Sequence, residues 1–398
     1  MNPGGRKLTI AIFSDSMLPI LNGVSVSIEA LVTGLRSRGH SVHQFTTRAA
    51  GHIDSDPNTY RFMGLETPWT RNYPLSFPPF YPMLREFRKY QFDLIHTHTP
   101  FTVGFVGLRW GESHGIPVVS TYHTLYDKYA HYIPYFPKRY LRYKVAKHTN
   151  YYYNRVSHVI TPSESSMRWL QRHSVKTPVS VIPTGIPRGS HISRSVARQQ
   201  FGIRPDQKLI LYVGRIAAEK NLGRLFEAVS EVMRQDDRTL FWLVGDGPMR
   251  EQCVEIARNL RMGDRVRFIG FKPREEIEPY YAAADVFAFA SMTETQGLVV
   301  GEAMMHGVPS VVVQGGGASE AMEDGRNGIL VRNDTEQLSA GILSLIRDEA
   351  LHESLSLGAT RTAHKMTVDA MVEQILGVYR FVLGEPVVAL EEELVKSE

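Results

Sequence analysis

Two carboxylates, Glu294 and Glu302, flank the pair Gly297-Leu298 with seven residues between them. The run 285–290 ahead of them is almost wholly apolar and predicts a buried strand, and Leu298 to His306 predicts a helix that Gly307 closes. Strand, polar loop and helix N-terminus in that order make a seat for phosphate, because first-turn N–H groups lack partners and that end of the helix dipole is positive. Glu294 then falls in the loop and Glu302 about one turn into the helix. A ligand with hydroxyl groups at both ends and phosphates between them fits this arrangement, which describes a sugar nucleotide. The same letters also describe a solvated loop with a glutamate favouring the dipole.

Arg215 and Lys220 follow the apolar strand pattern 209–213 and would project from a loop at its C-terminal end. A guanidinium fork and a compact ammonium suit a diphosphate leaving group, although exposed loop cations are also often only solvated. Gly23 opens the first helical pattern, and its missing side chain would let a phosphate approach the backbone; an ordinary turn glycine is the alternative. The loop has no G-x-G-x-x-G, which disfavours a nicotinamide dinucleotide. Gly315-Gly316-Gly317 lacks the Lys-Ser/Thr of a phosphate loop and reads as a turn.

His96 and His98 alternate at a strand end and share a face, but no third residue at a recognisable spacing completes a metal site, so no metal is expected. A structural or substrate-lining role suits them. His123 lies just past another buried strand, either facing a cleft or packed as an ordinary histidine. Asp54-Ser55-Asp56 spells an acid-x-acid pattern but has no strand to position it and reads as a turn.

The stretch 137–155 is basic and aromatic. As a helix it carries Lys138, Arg139, Arg142, Lys144 and Lys147 among tyrosines. That composition suits adsorption to anionic lipid headgroups, each cation contributing on the order of 1 kcal/mol near the surface. A solvated helix face is the alternative; no nucleic-acid-binding signature accompanies the charges.

These residues need elements to hold them. With 398 residues the chain can build two cores. Apolar strand patterns at 8–13, 42–46, 94–97, 118–121 and 158–161 alternate with helical ones, the first at 24–38. The pattern restarts after a Pro/Gly-rich linker at 181–190, with strands at 209–213, 240–244, 266–269, 286–290 and 310–313. The expectation is α/β: two doubly wound parallel-sheet domains with a cleft at their strand C-termini. The boundaries drawn are 1–185 and 186–367, with a last helix at about 368–384 able to pack back on the first domain and a frayed acidic tail at 385–398. The segment 68–82, rich in Pro and aromatics, reads as an irregular loop.

Charge divides the same way. Up to Arg194 there are 23 Lys/Arg against 10 Asp/Glu, and beyond it 22 against 31. The basic half is the one to suspect of meeting an anionic surface. No apolar run is long enough to span a bilayer, no signal peptide is evident, and the single Cys253 reads as a packed thiol, so a reducing cytoplasm is expected.

Taken together the motifs resemble the family-4 retaining glycosyltransferases of GT-B fold. The matching pieces are Asn22-Gly23, the segments 121–124, 213–221 and 244–248, and Glu294 with Glu302, in family order across most of the chain. Among its branches the chain looks most like bacterial diacylglycerol glucosyltransferases, on the segments 18–24, 96–101 and 294–298. The resemblance implies that the C-terminal domain binds a nucleoside diphosphate sugar, with UDP-glucose the expected donor and no further cofactor. Arg215 and Lys220 would neutralise the diphosphate, Glu302 would bind the ribose and Glu294 the transferred sugar. Gly297 and Leu298 would offer backbone amides, with Gly270 and Phe271 also in the donor site. Gly23 would let the lobes close, and His123 would touch the sugar beside the reacting carbon. The implied acceptor is diacylglycerol or a related lipid, reached from the inner face of the cell membrane through the basic N-terminal domain. A soluble sugar, polyol or polysaccharide acceptor, a nucleotide-sugar epimerase, and a catalytically silent membrane-bound sugar-nucleotide binder, which Arg215, Lys220, Glu294 and Glu302 together argue against, are the competing readings.

Overall fold

Apolar side chains in unbroken runs at the predicted strand positions require a sheet buried on both faces, and parallel sheets with helices on either side supply it. The computed structural model describes residues 6–20, 22–49, 51–65, 75–76, 80–124, 137–187 and 192–385. The chain starts as a β-α-β unit: β1 (Thr9–Ser14), α1 (Gly23–Ser37) and β2 (Ser41–Thr47). It continues through β3 (Thr59–Phe62), β4 (Gly64–Leu65), β5 (Leu75–Ser76), α2 (Tyr81–Phe87), β6 (Leu94–Thr97), α3 (Thr102–His114) and β7 (Val118–Thr121). Helix α4 (Lys138–Tyr153), β8 (His158–Thr161), α5 (Glu164–Arg172) and β9 (Val179–Val181) complete the first sheet.

The second half runs α6 (Arg194–Phe201), β10 (Lys208–Val213), α7 (Leu222–Gln235), β11 (Thr239–Val244), α8 (Arg250–Asn259) and β12 (Val266–Gly270). Then come α9 (Arg274–Ala283), β13 (Val286–Phe289), α10 (Leu298–Met305), β14 (Ser310–Val313) and β15 (Gly328–Val331). Helices α11 (Thr335–Arg347), α12 (Glu349–Ala363) and α13 (Val368–Val382) close the described chain.

The first sheet has seven strands in the order β3-β2-β1-β6-β7-β8-β9, the second six in the order β12-β11-β10-β13-β14-β15. Pairing within both is parallel. Each sheet grows outward to one edge and then resumes on the other side of its first strand. Strand order therefore reverses between β1 and β6, and again between β10 and β13, leaving a crevice at each switch point.

Strand alternation divides the first core in two. Ile10 and Ile12 of β1 face one cluster with Ile28, Leu31 and Leu35 of α1, while Ala11 and Phe13 face another with Phe45, Phe87 and Trp110. The first cluster is completed from the far end of the chain. Met371, Val372, Ile375, Leu376 and Tyr379 of α13, at helical spacing, all lie within it. Full burial of such side chains contributes about 1.5–3 kcal/mol each. The second lobe has one continuous core around β10, β11 and β13.

Two expectations need correcting. The linker was placed from Val181, yet Val179–Val181 is an edge strand; β3 and β15 were also missed. All three are short edge strands, and β9 and β15 leave half or more of their residues only partly buried, which dilutes the pattern that marks a strand. Of the segment 68–82, Leu75 and Ser76 form β5, paired antiparallel with β4, and Tyr81 and Pro82 begin α2, a helix with proline in its first turn, where its missing N–H costs nothing. Positions 68–74 and 77–79 and the acidic tail from 386 lie outside the described residues.

Candidate functional site

The loops after β10 and β13 lie side by side at the second switch point, because those strands pair directly. Lys220 ends a single 3-10 turn, Ala218–Lys220, after β10; Glu294 lies in the loop after β13. Their side chains form an ion pair, both mostly shielded from water. Ser291 Oγ also donates to Glu294, over 3.3 Å. Arg215 sits at the end of β10 with its side chain exposed, its carbonyl accepting the buried Tyr212 hydroxyl over 3.0 Å.

Gly297 is the N-cap of α10 in a left-handed conformation, φ 72°, and no side chain caps the helix. A Cβ built there would stand 2.4 Å from Cβ of Ala318, so glycine is required by backbone angle and by packing alike. The Gly315–Gly317 run does form a turn. It also packs on the loop after β13: Gly317 N–H donates to Glu294 O over 2.8 Å, and a Cβ on Gly317 would collide with the Thr295 carbonyl. One turn into α10, Glu302 accepts the Tyr281 hydroxyl at 2.8 Å and the Arg274 guanidinium at 3.5 Å, both from α9. Gly270 ends β12, two strands from β10, and the exposed Phe271 follows it.

The first lobe meets this loop residue by residue. Gly23, at the start of α1, faces Leu298: a Cβ on it would lie 3.9 Å from Leu298 Cδ1. Asn22 caps α1, its Oδ1 accepting Val24 and Ser25 N–H at 2.9 and 3.0 Å, so those two amides are already taken. Thr295 Oγ1 donates to the His123 carbonyl over 2.7 Å. Gln296 clasps Thr184 through both amide atoms, accepting its N–H at 2.8 Å and donating to its carbonyl at 2.9 Å. Glu320 reaches the free amides at the start of α5, accepting Glu164 and Ser165 N–H, each at 2.6 Å.

His123 sits behind the Thr295 contact, 9% exposed. Its Nε2 lies 2.9 Å from His98 Nδ1. The His98 ring in turn lies 4.1 Å from that of His96, whose Nδ1 meets the Tyr379 hydroxyl of α13 at 2.7 Å and whose Nε2 meets Thr121 Oγ1 at 2.7 Å. Burial pushes the His123 imidazole down to about 4 and His96 down to about 3, and holds His98 well below the ordinary value, which favours the neutral ring in each. Among the described residues no group of three His, Cys, Asp or Glu could hold a metal ion.

The sequence singles out the charged residues and glycines of these loops but not the neighbours the structure sets beside them: Thr295, Gln296, Tyr281, Glu320 and Asp15. The Asp15 carboxylate lies half-buried at the N-terminus of α3, accepting from Thr99 Oγ1 at 2.6 Å and Val103 N–H at 2.9 Å. An aspartate directly after a buried strand was the available signal for it. The other four carry no local signature, because their partners are distant in sequence.

Helix α4 exposes Arg139, Tyr140, Tyr143, Lys144 and Lys147, with the Lys144 ammonium 5.4 Å from the centre of the Tyr140 ring. The side chains of Lys138 and Arg142 lie outside the described residues. Asp54 and Asp56 are each paired with an arginine, Arg61 and Arg36. Among the described residues no helix is long and apolar enough to cross a membrane.

Two facing doubly wound lobes that meet across the loop 294–296 form a GT-B architecture, and comparison with known proteins makes it that of a glycosyltransferase. Residues 21–189 match the model of Glycosyltransferase Family 4, and residues 193–362 that of Glycosyl transferases group 1. The chain belongs to this family. It is 30% identical over 388 residues to an alpha-monoglucosyldiacylglycerol synthase of Streptococcus pneumoniae, covering 92% of this chain and 86% of that protein. The Acholeplasma laidlawii protein of the same name is 31% identical over 365 residues, 88% and 92% of the two chains. A D-inositol 3-phosphate glycosyltransferase of Corynebacterium diphtheriae is also 31% identical, over 304 residues, 73% and 70% of the two chains. In fold, sucrose-phosphate synthase from Thermosynechococcus elongatus superimposes with a TM-score of 0.78 at 22% identity, covering 95% of this chain and 100% of that one. Anabaena HepE in complex with UDP-glucose does so with a TM-score of 0.73 at 21% identity, covering 93% and 99%.

Proposed function

We propose that this protein is a retaining glucosyltransferase that moves glucose from UDP-glucose to diacylglycerol or a related lipid at an anionic membrane face. The observation that carries the chemistry is the Lys220–Glu294 pair at the switch point, across the cleft from His123 and beside the uncapped N-terminus of α10. The acceptor rests on the two glucosyldiacylglycerol synthases, matched over most of both chains, and on the exposed cations and tyrosines of α4.

Breaking the anomeric C–O bond leaves positive charge on the sugar and negative charge on the diphosphate. Arg215, Lys220 and the Gly297 and Leu298 amides stabilise the leaving group as fixed charges and dipoles. Glu294 binds the sugar hydroxyls and Glu302 the ribose. The acceptor oxygen attacks from the face the diphosphate leaves; its bond to the anomeric carbon forms as the old bond gives its electron pair to the phosphate oxygen. That oxygen takes the acceptor proton. Closure of the lobes excludes water, which would otherwise compete as acceptor.

The inositol-phosphate relative favours a second reading, a soluble phosphorylated polyol as acceptor. Mass spectrometry of products from UDP-glucose, UDP-galactose, UDP-N-acetylglucosamine and GDP-mannose, each with diacylglycerol liposomes and with soluble polyols, separates the two. A hexosyl-diacylglycerol made from UDP-glucose supports the first; transfer to polyols alone sinks it. Conversion of donor without acceptor would instead mark an epimerase.

A further inference from the structure

At 2.9 Å the facing nitrogens of His98 and His123 have room for one proton between them. Nδ1 of His98 is 2.9 Å from Nε2 of His123, with His98 2% exposed. Two arrangements satisfy that distance. In one, His98 Nδ1–H donates to His123 Nε2, and His98 is left with a bare Nε2. In the other, His123 Nε2–H donates to His98 Nδ1, and His98 carries its proton on Nε2.

His98 Nε2 is buried and has no hydrogen-bond partner among the described residues. An orphaned buried N–H is rarer and costlier than an acceptor with an unused lone pair. The first arrangement is therefore the stable one. It leaves His123 with its proton on Nδ1, the ring nitrogen for which no protein partner is found among the described residues. His96 closes the other side of the pair: its ring lies 4.1 Å from that of His98, and both its nitrogens are engaged, by Tyr379 and Thr121. Among the described residues neither His96 nor His98 has a carboxylate hydrogen-bonded to it, so none there favours the charged ring.

We propose that His98 is a positioning residue that fixes His123 as its Nδ1–H tautomer, so that an imidazole N–H rather than a lone pair meets the sugar. This rests on the reading of His123 as a donor-facing residue. An N–H donates to a sugar hydroxyl oxygen and fixes the ring's orientation. A neutral imidazole adds no positive charge beside the anomeric carbon as that carbon becomes electron-poor.

The test uses the full chain labelled with 15N-histidine, at neutral pH and without donor. Wild type should show His123 protonated on Nδ1, and His98→Leu should lose that preference. A wild-type His123 protonated on Nε2 overturns the proposal. In steady-state kinetics His98→Leu should lower kcat at least about 10-fold with KM for the donor changed less than about 3-fold. His98→Asn, whose amide can place a donor near the position of Nδ1, should recover most of the loss. Equal losses in both variants with the His123 tautomer unchanged would make His98 merely structural and overturn the proposal; circular dichroism checks that each variant folds. If wild type transfers no sugar from any donor, the functional reading falls, while the tautomer measurement still decides the role of His98.

Discussion

The hydroxyl of Thr295 donates to the backbone carbonyl of His123 across the cleft, over 2.7 Å. Glu294 and Gln296 flank that hydroxyl in sequence, so the loop that would hold the donor sugar is also a stitch between the lobes. Thr295→Val keeps the shape and removes the bond. Stability should fall by about 1 kcal/mol, read from urea unfolding, while kcat/KM falls several-fold more than that loss explains. Unchanged kinetics would show that the cross-lobe bond does not position the site.

Arg215→Ala should lower turnover by at least about 100-fold while leaving the unfolding free energy within about 0.5 kcal/mol, because the side chain is exposed at the end of β10. Near-normal turnover would remove Arg215 from the diphosphate site.

At Gly297 the conflict is steric. Gly297→Ala demands a left-handed alanine and a contact of 2.4 Å with Ala318 Cβ. Strain of about 1–3 kcal/mol should displace the start of α10. Nucleotide affinity, measured by calorimetry with UDP, should drop at least about 10-fold, and a variant that binds UDP like wild type would argue against the helix N-terminus as the phosphate seat.

The histidine cluster sets a pH dependence. Unfolded histidine titrates near pH 6.5, whereas His123 is lowered to about 4 and His96 to about 3 by burial. Their folded values are depressed, so below about pH 6.5 the unfolded chain binds more protons and stability falls as pH falls toward 4. Urea unfolding at pH 5 should show at least about 2 kcal/mol less stability than at pH 7.5 from this cluster. Asp15 works the other way, since burial raises its carboxyl, and offsets part of the loss. His123→Asn should flatten the slope; an unaltered slope would place its origin elsewhere.

The sheets were legible because parallel strands buried on both faces leave continuous apolar runs, as in Leu209–Val213 and Val286–Phe289. The short edge strands β3, β9 and β15 were not. Arg215, Lys220, Glu294 and Glu302 were readable as strand-end or helix-start residues, since strand and helix patterns place such positions near a switch point. That Lys220 pairs with Glu294 could not be read, because it depends on β10 and β13 being neighbours. The Thr184–Gln296 and Tyr281–Glu302 contacts were hidden for the same reason: nothing local in the sequence states which strand lies beside which.

Helix α13 packs beside α1 in the cluster over the first sheet, and its Tyr379 hydroxyl meets His96. A nascent chain therefore cannot seal its first lobe when that lobe has been translated. Until residues 368–382 leave the ribosome, the cluster of Ile28, Leu31 and Leu35 lacks the part of its cover that Met371, Val372, Ile375 and Leu376 supply, a window in which a chaperone has an apolar groove to hold.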